Sequence, residues 1–230
     1  MFRLRHALQA LVQERRREVA LVAAFSVVAG LVLAFGMLAE EVLEGDAEAF
    51  DRVVLGALRS NGNVADPIGP VWLEESARDI TALGSYSFLG LLSAALVGYL
   101  LLTGRKAGAA LITAAVLGGV VISNGLKLLI DRPRPDLPTT VRVFSASFPS
   151  GHATLSAITF LTLGTLIAQA HAAPVAKAYI AALAILLTVA VGVSRVYLGV
   201  HYASDVLAGW FIGGAWALLC WTIAGALRRD

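Results

Sequence analysis

Cysteine is nearly absent from this chain of 230 residues, and a single thiol, Cys220, excludes an intrachain disulfide. Cys220 falls in an apolar run, where inert packing is the expected role. Charge is also scarce: Asp, Glu, Lys and Arg make up 15% of the residues and the net charge is only +2, which argues against a nucleic-acid-binding surface. Histidine is limited to four residues, and no thiolate cluster accompanies them, so a metal site lacks ligands and no metal or other cofactor is expected. No repeat at a solenoid period and no low-complexity tract interrupts the chain.

Apolar residues, by contrast, make up 58% of the chain, with a mean hydropathy of +0.77. Soluble domains lie nearer 45–50%, roughly, so the solvent of this fold is lipid. Six runs approach the roughly 20 apolar residues of a transmembrane helix, without internal charge: 19–38, 86–102, 107–126, 153–170, 179–193 and 206–227. Gly118, Gly119, Gly209, Gly213 and Gly214 recur inside them, as expected of closely approaching helices in a bilayer. The expected fold is all-α, a polytopic membrane protein of six spans forming one domain over 1–230.

Orientation follows from Lys and Arg, which cytoplasmic loops retain. Arg3, Arg5, Arg15, Arg16 and Arg17 precede the first run, making 1–18 a basic cytoplasmic segment. Six crossings return Arg105, Lys106, Lys177, Arg228 and Arg229 to that side, so both termini are expected inside, with His6 and His171. The connections 39–85, 127–152 and 194–205 then face outward. They carry Lys127, Arg132, Arg134, Arg142 and Arg195, an exception to the charge rule that asks for a functional reason. The basic start and Ala34-Phe35-Gly36 loosely resemble a cleavable signal, but a 20-residue core is long for one, so the first span is expected to stay.

The segment 39–85 is mixed: acidic from Glu40 to Glu48, then Phe50, Val53, Val54, Ala57 and Leu58 at helical spacing, then Asn61-Gly62-Asn63 and a turn around Pro67–Pro70. One or two short interfacial helices are expected, acting as a lid or as packing.

Three outward stretches concentrate polar residues. In the first, Lys127 closes a span, and Pro133 and Pro135 stop the helix and present Arg134; alone, such basic residues are usually snorkelling anchors. In the second, Phe148-Pro149-Ser150-Gly151-His152, Ser150 is placed as an N-cap and Gly151 admits a ligand to the amides of a helix start, an anion site. His152 sits where the anion would be, although a capping turn alone explains it equally. In the third, His201 and Asp205 are four apart, so on a helix they share a face and the carboxylate can orient the imidazole for nucleophilic attack. A structural cap or half a metal site remains open for this pair. Together the stretches favour an anion with spread negative charge, as in a phosphoryl group during transfer.

Lys127-x6-Arg134-Pro135, Pro149-Ser150-Gly151-His152 and Ser194-Arg195-x5-His201-x3-Asp205 together resemble the tripartite signature of the type 2 phosphatidic acid phosphatase (PAP2) superfamily, in full and in order over 127–205. The hydrophobicity is that of its membrane-bound bacterial branch, unlike the soluble acid phosphatases and vanadium haloperoxidases that share the signature. The resemblance implies a catalytic set of His201 as nucleophile, Asp205 as its orienting partner and His152 as general acid and then base. It implies that Lys127, Arg134, Arg195, the Ser150 hydroxyl and the Gly151 amide hold the phosphate, without metal. Implied partners are bilayer lipids and a lipid phosphate: undecaprenyl pyrophosphate, phosphatidylglycerophosphate or phosphatidate, met at the extracytoplasmic face of a bacterial inner membrane. The alternatives are transfer of the phosphate to another lipid or sugar, and a non-catalytic lipid-binding or transport protein.

Overall fold

The computed structural model describes residues 2–60, 63–137 and 145–227. Asn61 and Gly62 of the expected turn, and the basic residues Arg142, Arg228 and Arg229, lie outside the described residues. Along the chain run α1 (Phe2–Glu44), α2 (Ala47–Ala57), β1 (Arg59–Ser60), β2 (Asn63–Pro67), α3 (Val71–Ala82), α4 (Tyr86–Leu102), α5 (Lys106–Leu129), α6 (Gly151–Gln169), α7 (Pro174–Tyr197) and α8 (Ala203–Leu227). The all-α expectation therefore holds apart from a two-stranded antiparallel ribbon. In place of a simple Pro/Gly turn, Ser60 Oγ donates to the Pro67 carbonyl at 3.2 Å and the Ile68 amide to Leu58 O at 3.0 Å, closing the chain into that ribbon.

Each of the six apolar runs lies within one helix, except that 153–170 ends on Ala170, the C-cap of α6. Among the described residues, α1, α5, α6, α7 and α8 are long and apolar enough to cross a membrane alone. The sixth candidate is the bent pair of α3 and the 17-residue α4, which join at 45°. The start of α4 is fixed by Ser85, whose hydroxyl accepts the Phe88 amide at 3.2 Å, a side-chain N-cap.

Helix α6 is the hub, packing against α5, α7 and α8. It is also the least hydropathic of the five spans because it faces protein rather than lipid, and small polar residues are tolerated on it. Thr154 and Ser156 satisfy their hydroxyls on the helix itself, at Ser150 O (2.9 Å) and Ala153 O (3.2 Å). Small residues bring α8 against it: a Cβ on Gly209 would sit 2.9 Å from Ser150 O, and one on Gly213 2.6 Å from Thr154 O. Helix α1 is part of this assembly, with Phe35 and Ala39 packed in one cluster with Phe148 and Ala208. Cys220 packs in the core cluster of Leu111, Ala115 and Ile158.

The C-terminus of α7 ends in a tight turn that leads directly to His201. Gly199 has φ +70°, its amide bonds Val196 O at 2.9 Å, and the Val200 amide bonds Arg195 O at 3.2 Å. This is a Schellman closure, with glycine in the left-handed position. Arg59, from the ribbon, donates to the Val196 and Tyr197 carbonyls at 3.3 and 2.9 Å, and a Cβ on Gly199 would lie 2.7 Å from its guanidinium. Gly199→Ala is therefore expected to destabilise the protein by about 1–2 kcal/mol from the left-handed backbone alone, with displacement of Arg59 in addition. An unchanged melting temperature in detergent would refute this account of the turn.

Candidate active site

The C-termini of α5 and α7 and the N-termini of α6 and α8 meet at one end of the bundle, beside α2 and α3. The Ser150 amide donates to Asp205 O at 2.9 Å, tying the start of α6 to that of α8, and Arg195 Nη1 donates to Thr81 Oγ1 of α3 at 3.0 Å. The eight residues singled out in the three stretches are brought to this end.

His201 is 1% exposed. Its Nδ1 faces Asp205 Oδ2 at 3.3 Å and its Nε2 faces Arg134 Nη1 at 3.0 Å. A carboxylate on one side and a guanidinium donor on the other define the tautomer: Nδ1 carries the hydrogen and Nε2 the lone pair. Burial lowers the pKa of His201, against the opposing hydrogen bond and charge of Asp205 and with the help of Arg134 and Arg195, so the ring is neutral at neutral pH. The expected His/Asp partnership is present, but its basis differs from a shared helix face. His201 lies in the turn before α8, and Asp205, in the first turn, reaches back to accept the Tyr202 amide at 2.9 Å. The four-residue spacing thus works as a helix start folded onto its own leader.

Lys127 is buried and donates to the Ala146 and Ser147 carbonyls, which replaces the snorkelling alternative with a fixed ammonium inside the protein. Arg134 is held by Ser145 O and Val200 O at 2.8 and 2.7 Å, and burial lowers its pKa, with Asp205 opposing. His152 is half-buried within the electrostatic reach of Arg195, His201, Arg134 and Lys127. Ser150 is at the N-cap position of α6, yet its side chain makes no capping bond. Its hydroxyl and Arg195 Nε are buried without hydrogen-bond partners. A buried donor left unpaired is costly, and two of them beside a helix N-terminus and three cations form a set of donors suited to an anion. Gly151 is buried under Tyr86, whose Oη would be 3.0 Å from a Cβ there, so a larger residue would push into this pocket.

Several participants were not singled out as site residues. Ser147 donates to Asp205 Oδ2 and sits 3.3 Å from His201 Nδ1. Thr81 anchors Arg195. Arg132, grouped by its charge with the outward anion-binding residues, turns instead to carboxylates, bonding Asp205 Oδ1 at 2.8 Å and Asp51 Oδ2 at 2.7 Å. Burial alone would lower its pKa, but Asp205 and Asp51 outweigh that and raise it. The signal for Asp51 was its place on the face of α2 that also carries Val54 and Leu55, residues packed against Val206.

Among the described residues no group of three or more His, Cys, Asp or Glu side chains is placed to hold a metal ion. An oriented neutral imidazole, a second histidine and fixed cations at the ends of membrane helices define the class as a membrane phosphoryl-transfer protein acting through side chains. Residues 107–229 match the model of the PAP2 superfamily, and the chain belongs to that superfamily, among its membrane lipid phosphatases. It is 37% identical to phosphatidylglycerophosphatase B of Bacillus subtilis, over 62% of this chain and 70% of that one. It is 30% identical to a lipid A 1-phosphatase of Rhizobium etli, over 74% of this chain and 79% of that one. Its fold is similar to the crystal structure of the first transmembrane PAP2 type phosphatidylglycerolphosphate phosphatase from Bacillus subtilis, with a TM-score of 0.79 and 28% identity over 88% of this chain and 98% of that one.

Proposed function

We propose that this lipid phosphatase hydrolyses a glycerolipid phosphate monoester, phosphatidylglycerophosphate before phosphatidate, through a phosphohistidine at His201. The observation that carries the mechanism is the His201 ring, held at Nδ1 by Asp205 with Nε2 turned to Arg134. Similarity to phosphatidylglycerophosphatase B supports the substrate class.

In this reading the phosphate takes up the unpaired Ser150 hydroxyl and Arg195 Nε, with Lys127, Arg134 and the Gly151 amide completing the cradle. As Arg134 turns to a phosphate oxygen, the Nε2 lone pair is freed. Nε2 bonds phosphorus, the bond from phosphorus to the lipid oxygen breaks, and His152 protonates that oxygen as it leaves. His152 then removes a proton from water, the water oxygen bonds phosphorus, the P–N bond breaks and orthophosphate departs. The cations supply the charge neutralisation that metal ions give elsewhere. The Lys and Arg distribution supports an extracytoplasmic site, because residue 15 lies in the N-terminal third of α1 and residues 105–106 at the start of α5, whereas the site lies beyond the C-terminus of α5.

The test is phosphate release by purified protein from phosphatidylglycerophosphate, phosphatidate and undecaprenyl pyrophosphate in mixed micelles, with and without EDTA. Release is expected to be unchanged by EDTA, inhibited by vanadate and fastest with phosphatidylglycerophosphate. Preference for the pyrophosphate would reassign the substrate, a phosphorylated lipid product in place of free phosphate would make the enzyme a transferase, and loss with EDTA would overturn the side-chain mechanism.

A further inference from the structure

Asp51 lies in α2, outside the three signature stretches, yet it is 1% exposed and its carboxylate is fully engaged. Oδ1 accepts the Ser204 amide at 2.9 Å, and Oδ2 accepts the Ser204 hydroxyl and Arg132 Nη2, the latter at 2.7 Å. The carboxylate thus caps the positive end of α8, where the helix dipole favours it. Arg132 extends from irregular chain after α5, so no helix holds it. Its planar fork is fixed from three sides: Asp51 on one nitrogen, Asp205 and Ser204 on the other at 2.8 Å each, and the Tyr202 ring with its centroid 4.4 Å from Cζ. We propose that Asp51 is a positioning residue for phosphoryl transfer, holding Arg132 so that Arg132 holds Asp205, and Asp205 the ring of His201.

This inference rests on His201 being the nucleophile. Asp205 divides its work between its two oxygens: Oδ2 meets Ser147, Tyr202 and His201, while Oδ1 has Arg132. Rotation of the carboxylate would carry Oδ2 off the imidazole; Ser147 and the Tyr202 amide oppose it on Oδ2, and Arg132 opposes it from Oδ1. Asp51 also shares the charge of Arg132. Without that share the guanidinium would draw more strongly on Asp205, leaving less electron density for the Nδ1 hydrogen and a less nucleophilic Nε2. A clamp that merely kept α2 in place would contribute to stability and leave turnover per folded molecule alone.

The discriminating experiment compares full-length wild type, Asp51→Asn, Arg132→Lys and the double variant on whichever of phosphatidylglycerophosphate, phosphatidate and undecaprenyl pyrophosphate the wild type hydrolyses fastest, with melting temperature measured alongside. Asp51→Asn keeps the size of the side chain but removes the charge that faces Arg132, and its one acceptor oxygen cannot serve the Ser204 amide and Arg132 together. Outer-shell partners of working histidines typically contribute about tenfold or more, so kcat should fall by about that factor. KM should stay within about threefold, since the phosphate cradle is untouched. On the Arg132→Lys background, where one ammonium replaces the two-armed fork, Asp51→Asn should cost less than about twofold further. Losses that multiply independently, a loss confined to KM, or a fall in kcat no larger than the fall in folded protein would each overturn the role of Asp51. Those results with an inactive His201→Ala protein overturn this inference alone, whereas an active His201→Ala protein removes the reading beneath it.

Discussion

His201→Ala is expected to eliminate measurable phosphate release, a fall of about a million-fold in kcat of the kind seen when a nucleophile is removed from a coupled catalytic unit. The size of the loss comes from the geometry around the ring. Arg134 loses its contact with Nε2 but keeps its bonds to Ser145 O and Val200 O, and Lys127 and Arg195 are anchored on Ala146 O and Thr81 Oγ1, so the cradle that binds phosphate persists in the variant and KM should change little. What disappears is the atom that, in the proposed mechanism, divides hydrolysis into two displacements. His152 does not replace it, because in the proposed mechanism it moves protons to and from oxygen and is not in line with the scissile bond. Since a 1% exposed ring leaves a cavity when truncated, His201→Gln, which fills more of the space, should be measured beside it. Turnover within a hundredfold of wild type in either folded variant would exclude the phosphohistidine.

The spans were readable because lipid imposes a simple rule, about 20 apolar residues for each crossing, and α1, α5, α6, α7 and α8 obey it. The 17 residues of α4 were readable only because nothing charged interrupts them, and the bend to α3 at Gly84 was not. A Cβ on Gly84 would lie 2.3 Å from Val191 of α7, a close approach that depends on a distant helix and leaves no local trace. The candidate site was readable to the extent that its groups are those the proposed reaction calls for. Lys127, Arg134, Ser150, Gly151, His152, Arg195, His201 and Asp205 are polar residues at the ends of apolar runs, where polarity calls for an explanation. Residues that position others carry no such mark. Asp51 looks like an ordinary charge on a half-apolar surface helix, and Ser147 like a loop serine, until the group each meets is known. Arg132 shows the opposite difficulty: its charge was visible, but a basic residue beside an anion site has the same sequence signal as one neutralised by two carboxylates.

Asp205→Asn provides the sharpest test of how the nucleophile is oriented, with an expected fall in kcat of about a thousand- to ten-thousand-fold, as when an oriented histidine adopts the wrong tautomer. Asp205 accepts from four groups: Arg132 Nη1 on Oδ1, and the Ser147 hydroxyl, the Tyr202 amide and His201 Nδ1 on Oδ2. An asparagine has one acceptor oxygen for these four donors. Arg132 is charged and only 10% exposed in its side chain, so an NH2 group turned toward it would set two donors together in a buried place. The charged Arg132 outweighs the Tyr202 amide in the competition for that oxygen, so the oxygen faces Arg132 and the NH2 turns toward His201. Facing a donor, Nδ1 gives up its hydrogen and accepts, the hydrogen moves to Nε2, and the lone pair that should meet phosphorus is gone. The phosphate cradle is unaltered, so the loss should fall on kcat while KM stays within about threefold. If kcat instead remained within tenfold of wild type, Asp205 would be a helix-start contact and His201 would owe its tautomer to Arg134 alone.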